Sequence, residues 1–217
     1  ADMPVLVFGS GSNLLVSDQG VRGLVVHNLA RNVVFTEEDQ SRMHVDAESG
    51  TMLATLARMC INRGAGGLEW AVAVPGTVGG AVVGNAGAHG SDISSNILLA
   101  DILQRGKGTK SWHLNELGLS YRCSKLKTIE DDLVILRAEF VLDQVDKDTL
   151  RSRASRFSKH RRETQPPGAS IGSMFKNPPG DYAGRLIEAA GLKGFRLGQA
   201  EISNIHANFF VNLGGAS

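Results

Sequence analysis

The sequence predicts an α+β protein in two parts, a larger one over residues 1–145 and a smaller one over 146–217. Three features carry this. Apolar runs at 4–8, bounded by glycine, and at 24–26 and 133–142 read as strands, with segments of helical spacing between and after them. Residues 67–91 set glycines 76, 79, 80, 84, 87 and 90 among valines and alanines. Around 143–148 the composition shifts to a basic helical segment, and the boundary is drawn there.

At 217 residues, 42% hydrophobic and 21% charged, the chain has ample material for a globular core. A net charge of +1 and 6% aromatics supply neither the field nor the stacking platforms of a nucleic-acid binder. No apolar run approaches the length of a membrane span. Two cysteines, Cys60 and Cys123, are too few for a disulfide framework and read as reduced thiols of a cytoplasmic protein. His89 and His113 stand alone without metal-ligand spacing, and no metal is expected. The chain runs from Ala1-Asp2 straight into a strand and stops at Ser217, which reads as a polypeptide lacking both natural ends.

After the strand at 4–8 comes Gly9-Ser10-Gly11-Ser12-Asn13-Leu14. Successive N–H groups in such a turn can form an anion-binding nest, and Ser10, Ser12 and Asn13 add donors. The third glycine of a dinucleotide fingerprint is replaced by Leu14 and no helix follows, which excludes a Rossmann unit. A plain tight turn and a pyrophosphate-holding loop both remain open. Strands at 33–35 and 43–47 precede a helix at 52–60, with Ser49 or Thr51 as its cap and Gly64 as its stop. Glycine serves where the chain needs positive φ or close approach. A flexible linker would be polar, so the apolar stretch 67–91 reads as a bed moulded against a large flat body.

Strands at 97–103, 110–113 and 133–142 follow, with Tyr121-Arg122-Cys123-Ser124 as a polar segment between the last two. Arg122 there makes a surface ion pair or holds an anion. A helix at 148–162 carries Arg151, Arg153, Arg156, Lys159, Arg161 and Arg162. These form a solvated face, with one or two lining a site for an anionic substrate. Ser173, Lys176 and Asn177 lie between Gly172 and Pro178, either as a polar loop or as a serine proton donor polarised by lysine. Asp181 caps a last helix stopped by Gly191, and 208–212 is the final strand.

Seven of these segments, in order, resemble the UDP-N-acetylenolpyruvoylglucosamine reductase (MurB) family. They are Gly9-Ser-Gly-Ser-Asn-Leu-Leu-Val, Pro75-Gly-Thr-Val-Gly-Gly-Ala, Asn85-Ala-Gly-Ala, Tyr121-Arg-Cys-Ser, Gly172-Ser-Met-Phe-Lys-Asn-Pro, Ala183-Gly-Arg-Leu-Ile-Glu-Ala-Ala-Gly-Leu-Lys-Gly and Ser203-Asn-Ile-His-Ala-Asn-Phe. The resemblance implies an FAD-binding fold of the vanillyl-alcohol-oxidase (PCMH) type in two subdomains over 1–145, and an α+β substrate-binding domain over 146–217. It implies that FAD is held by Gly9, Ser10, Gly11, Ser12, Asn13 and Leu14, and by Pro75, Gly76, Thr77, Gly79, Gly80, Asn85, Ala86 and Gly87.

The implied reaction uses NADPH as hydride donor to reduce a UDP-sugar enolpyruvyl substrate to UDP-N-acetylmuramate, for peptidoglycan synthesis, cell shape and division. Arg122 would hold the substrate carboxylate and stabilise the enolate, and Ser173 would protonate carbon. Tyr121, Lys176 and Asn177 would bind substrate. Family members carry a further N-terminal segment and a catalytic glutamate beyond Ser217, so weakened FAD binding and poor turnover are expected of this stretch alone. A monomer with no nucleic-acid or membrane partner is expected. Two alternatives stay open: another flavin oxidoreductase of this fold, with FAD attached through His89, and a flavin-binding fragment of impaired activity.

Overall fold

The computed structural model describes residues 3–129 and 132–216; Ala1, Asp2 and Ser217, the expected cut points, lie outside the described residues. The chain divides into two compact units, Ala1–Gly11 with Arg22–Ser158, and Ser12–Val21 with Lys159–Ser217.

In the first unit, β1 (Val5–Phe8) and β2 (Leu24–His27) form a parallel pair. β3 (Val33–Glu37) and β4 (Arg42–Glu48) form an antiparallel pair, and the period-two alternation of β4 buries Met43, Val45 and Ala47 while His44 and Asp46 face out. α1 (Leu53–Arg63) buries Leu53, Leu56, Ala57, Cys60 and Ile61, the helical spacing expected of a core helix, and ends on Gly64 at φ 81°. The expected cap is not realised. Met52 holds the N-cap position without a side-chain bond, and the Leu53 N–H donates to the Gly76 carbonyl at 3.0 Å. The Ser49 hydroxyl instead accepts from Asn28 Nδ2 at 2.7 Å, and Thr51 Oγ1 is buried without a partner among the described residues.

β5 (Ala65–Gly66) leads through a 3₁₀ turn at Glu69–Ala73 to α2 (Val78–Gly84) and the short antiparallel pair β6 (Gly87–Ala88) and β7 (Ser91–Asp92). β8 (Ile97–Gln104), β9 (Gly108–His113), α3 (Leu114–Leu117) and β10 (Leu133–Gln144) complete the unit's sheet. Its order is β3-β4-β10-β8-β9, all neighbours antiparallel, with β5 paired to the far end of β10. One core joins Val45 and Ala47 of the sheet, Phe140 and Leu142 of β10, Leu53 and Leu56 of α1, and Val78 and Val82 of α2. Cys60 lies inside it as a free thiol, pushed up to about 12 by burial.

On the outer face of the sheet His44 sits between two carboxylates, Nδ1 at 2.6 Å from Glu139 Oε1 and Nε2 at 3.2 Å from Glu38 Oε2. The Glu139 bond, with Glu38 behind it, raises the His44 pKa. A histidine whose folded pKa is raised adds stability below its unfolded pKa and loses that contribution as pH rises through the folded value. Urea midpoints are therefore expected to fall between pH 6 and pH 9 in the parent protein, and to fall less in His44→Gln; equal falls in both would refute the assignment.

α4 (Lys147–Thr164) begins at Asp146, whose carboxylate accepts the Thr149 N–H at 2.8 Å and is held below the usual range by it. Leu150 and Ala154 of α4 pack with Ile61, Val72 and Val145. Arg153 pairs with buried Glu69 at 3.2 Å, and Glu69 also accepts the Gly67 N–H at 2.5 Å. These contacts bind the first part of α4 to the sheet unit. The compact unit that holds the sheet accordingly runs on to Ser158. On the basic face, Arg151 pairs with Asp148 and Lys159 with Glu163, so part of it serves local ion pairs.

In the second unit, α5 (Ala183–Ala189) precedes an antiparallel sheet in the order β11 (Arg196–Leu197), β12 (Ala200–Ile202), β13 (Phe210–Asn212). Asn208, expected in the last strand, belongs to the turn before it, and Phe209 forms an isolated bridge with Ser173. Asp181 pairs with Arg185 and accepts the Tyr182 N–H, which hold its carboxyl down to about 2. The first amide inside α5, Ala183 N–H, is met at 3.1 Å by Asn177 Oδ1.

Candidate active site

Glycine disfavours helix interiors, yet part of the glycine-rich stretch is the helix α2. Its first-turn donors are answered from outside, the Val78 N–H by the Thr51 carbonyl at 2.9 Å and the Gly79 N–H by the Ser49 carbonyl at 2.8 Å. Val78, Ala81 and Val82 are buried beneath it. The glycines divide by use. Gly76 has φ 115° and Gly90 φ 82°. Gly79 packs on Ser49, where a Cβ would come to 3.0 Å, and a Cβ on Gly87 would run into Asp92 and the Ser91 carbonyl. Gly9 packs against the Thr77 side chain so closely that a Cβ would overlap it, so the loop after β1 meets the bed at the start of α2.

Gly80 and Gly84, four residues apart and so on one side of α2, are different. A Cβ on Gly80 would find only Thr77 Oγ1, at 3.8 Å, and one on Gly84 nothing within 4 Å. This face of α2 is bare backbone open to an outside body, which fits a flat cofactor laid against it. Gly11, at φ 70°, is likewise in open space. Ser12, Asn13 and Leu14 belong to the Ser12–Val21 segment of the second unit, with Leu14 exposed.

The polar segment at 120–124 is a tight turn closed by reciprocal Ser120–Cys123 backbone bonds of 3.0 Å. Arg122, at its tip, has φ 54°, a left-handed conformation costing a non-glycine residue about 1–2 kcal/mol. Its guanidinium donates to the Gly87 carbonyl at 2.5 Å and the Asn85 carbonyl at 3.4 Å, and lies 5.6 Å from the Tyr121 ring centroid. Among the described residues no carboxylate pairs with it. Its guanidinium lies on carbonyls at the C-terminal end of α2, where the helix dipole favours a cation.

Asn85 organises this junction. It is 1% exposed, caps α2 at φ 40°, and its Nδ2 donates to Asp92 Oδ2 at 3.1 Å and to the Ser120 carbonyl at 3.0 Å. Its Oδ1 accepts the Ser94 N–H at 3.1 Å. Asn85, Gly87 and Arg122, three residues singled out in the sequence, are thus brought together. Ala86 lies between the first two, with its N–H on the Ala81 carbonyl at 2.8 Å.

In the second unit Ser173 is exposed and forms an isolated bridge with Phe209. The loop beyond it is pinned by Asn208, 3% exposed, which accepts the Phe175 N–H at 3.0 Å and donates to the Phe175 carbonyl at 2.8 Å. Lys176 is exposed in the same loop, and the carboxamide oxygen of Asn177 is committed to α5. The sequence reading missed Asn208 as the residue that shapes this loop. It also missed Ser203, whose buried hydroxyl accepts the Ile205 and His206 N–H groups at 3.0 and 3.3 Å. Both stand in the Ser203–Phe209 motif, the one signal that pointed to them. His89 is exposed at φ 56° and stacks on Phe157 at 4.4 Å.

Two family models match the chain: one described as FAD binding domain over residues 1–110, and one described as UDP-N-acetylenolpyruvoylglucosamine reductase, C-terminal domain, over residues 163–217. A UDP-N-acetylenolpyruvoylglucosamine reductase of Rubrobacter xylanophilus is 47% identical over 217 residues, 99% of this chain and 71% of that protein. One from Chloroflexus aggregans is 44% identical, over 99% of this chain and 73% of that protein. The crystal structure of UDP-N-acetylenolpyruvylglucosamine reductase (MurB) from Thermus caldophilus superposes with a TM-score of 0.85 at 34% identity, covering 99% of this chain and 77% of that one.

Proposed function

The chain belongs to the UDP-N-acetylenolpyruvoylglucosamine reductase family, and from that membership we propose how its residues divide the work of the reaction. The reaction is the FAD-dependent, NADPH-driven reduction of UDP-N-acetylglucosamine enolpyruvate in peptidoglycan precursor synthesis. Its fold is the FAD-binding α+β fold of the vanillyl-alcohol-oxidase type with the family's C-terminal domain.

When bound, FAD supplies the redox chemistry, and the protein supplies position and charge. Gly9 to Leu14, Pro75 to Thr77, Gly79, Gly80 and Asn85 to Gly87 hold it, with Gly80 offering bare backbone where a side chain would stand in the way. Arg122 holds the substrate carboxylate, with Tyr121 beside it, and offsets negative charge developing on the enolate oxygens. The hydroxyl of Ser173 delivers the proton to carbon, and Lys176 and Asn177 bind substrate. The observation that carries this reading is the Arg122 guanidinium, fixed on the carbonyls of Asn85 and Gly87 where the bed ends and paired with no carboxylate among the described residues. We assign residues 1–145 to FAD binding and 146–217 to substrate. The proposed setting is a cytoplasmic monomer serving cell-wall growth, cell shape and division. Among the described residues no helix is long and apolar enough to cross a membrane, and the net charge is +1.

The test is an anaerobic visible spectrum. Flavin absorbance is expected to bleach with NADPH and return on adding UDP-N-acetylglucosamine enolpyruvate; a flavin that NADPH bleaches and this substrate leaves bleached would overturn the substrate assignment. Gly80→Ala tests the bed. Removing a helix-interior glycine is expected to stabilise the cofactor-free protein by about 0.5–1 kcal/mol, while FAD affinity falls roughly tenfold. Unchanged FAD affinity in a titration would count against Gly80 as part of the bed.

A further inference from the structure

The turn that carries Arg122 is tied to α2 by more than its arginine. Ser124 is 1% exposed and occupies the N-cap position of the 3₁₀ turn Lys125–Lys127, yet its side chain makes no cap bond. Its hydroxyl instead donates to the Val83 carbonyl at 2.7 Å. The last carbonyls of a helix have no partner within it, and two at the end of α2 are met from this turn: Val83 by Ser124, and the cap residue Asn85 by Arg122, which also holds the Gly87 carbonyl beyond the helix. The other leg of the turn is held by Asn85 Nδ2 on the Ser120 carbonyl. A left-handed arginine persists only where its surroundings over-determine it, and Ser124 supplies the bond on the C-terminal leg.

We propose that Ser124 is a positioning residue for reduction of the enolpyruvyl group: its hydroxyl locks the Arg122 turn onto the end of α2 and so sets where the guanidinium meets substrate. This rests on the assignment of Arg122 to the substrate.

The experiment is rapid anaerobic mixing of the FAD-loaded protein, following bleaching by NADPH and recovery by UDP-N-acetylglucosamine enolpyruvate as separate phases. In Ser124→Ala the bleaching rate is expected to stay within about twofold, while recovery slows roughly ten- to hundredfold, the scale of a displaced catalytic group. Ser124→Thr, which keeps the hydroxyl, restores recovery. In an Arg122→Ala background, Ser124→Ala adds less than about twofold, because the serine acts through the arginine. Equal slowing of both phases, full additivity with Arg122→Ala, or parental recovery in Ser124→Ala would each overturn the proposal. Parental recovery in Arg122→Ala would overturn the arginine's own assignment instead. If Ser124→Ala does not fold, Ser124→Cys, similar in volume and a weaker donor, makes the same comparison.

Discussion

Asn85→Ala is expected to lower the stability of the protein by about 2–4 kcal/mol. The residue is 1% exposed and its carboxamide is bonded on both ends, to Asp92 and the Ser120 carbonyl through Nδ2 and to the Ser94 N–H through Oδ1. Truncation removes the three hydrogen bonds of a buried carboxamide, at about 0.5–1.5 kcal/mol each. It also places alanine at φ 40°, which asparagine tolerates and alanine does not, at about 1 kcal/mol. For a chain of this size about 3 kcal/mol corresponds to a melting temperature roughly 6–12 °C lower. A calorimetric shift under about 2 °C would show that the junction is not held by this side chain.

Arg122→Lys is expected to slow substrate-driven flavin recovery by roughly two to three orders of magnitude, with NADPH bleaching little changed. Two neutral carbonyls orient the guanidinium through separate nitrogens, Nη1 on Asn85 and Nη2 on Gly87. An ammonium is a point charge on a flexible stem and cannot take two carbonyls while also presenting a planar fork to a carboxylate. Both phases within twofold of the parent, measured by stopped-flow absorbance, would remove Arg122 from the chemistry.

Much of this was readable beforehand. The alternation of β4, the spacing of α1 and its glycine stop, and the long apolar run of β10 each follow from periodicity that survives in the fold. The candidate site residues were legible as types, an arginine in a polar turn and a serine three positions before a lysine. What failed was local propensity where neighbours decide. α2 forms from glycines because Thr51 and Ser49 carbonyls meet its first donors and Val78, Ala81 and Val82 have a core to enter. Ser49 and Thr51 look like caps in sequence, yet one hydroxyl is taken by Asn28, twenty-one residues away, and the other finds no partner among the described residues. Asn85, Ser124 and Asn208 read as ordinary polar residues because their partners lie 7 to 41 positions off.

The place of β10 in the sheet has a consequence for how the protein is made. β3 with β4, and β8 with β9, are neighbours in sequence and can pair as soon as each leaves the ribosome. The strand that lies between these two hairpins is synthesised after both, and it joins Arg137 to Glu48 across eighty-nine positions. Until it emerges, the inner edges of β4 and β8 stand open, each a template for a wrong partner. The slow, sequence-distant insertion of one strand therefore sets the vulnerable interval of biosynthesis, and crowding or a delay at that point favours aggregation over folding.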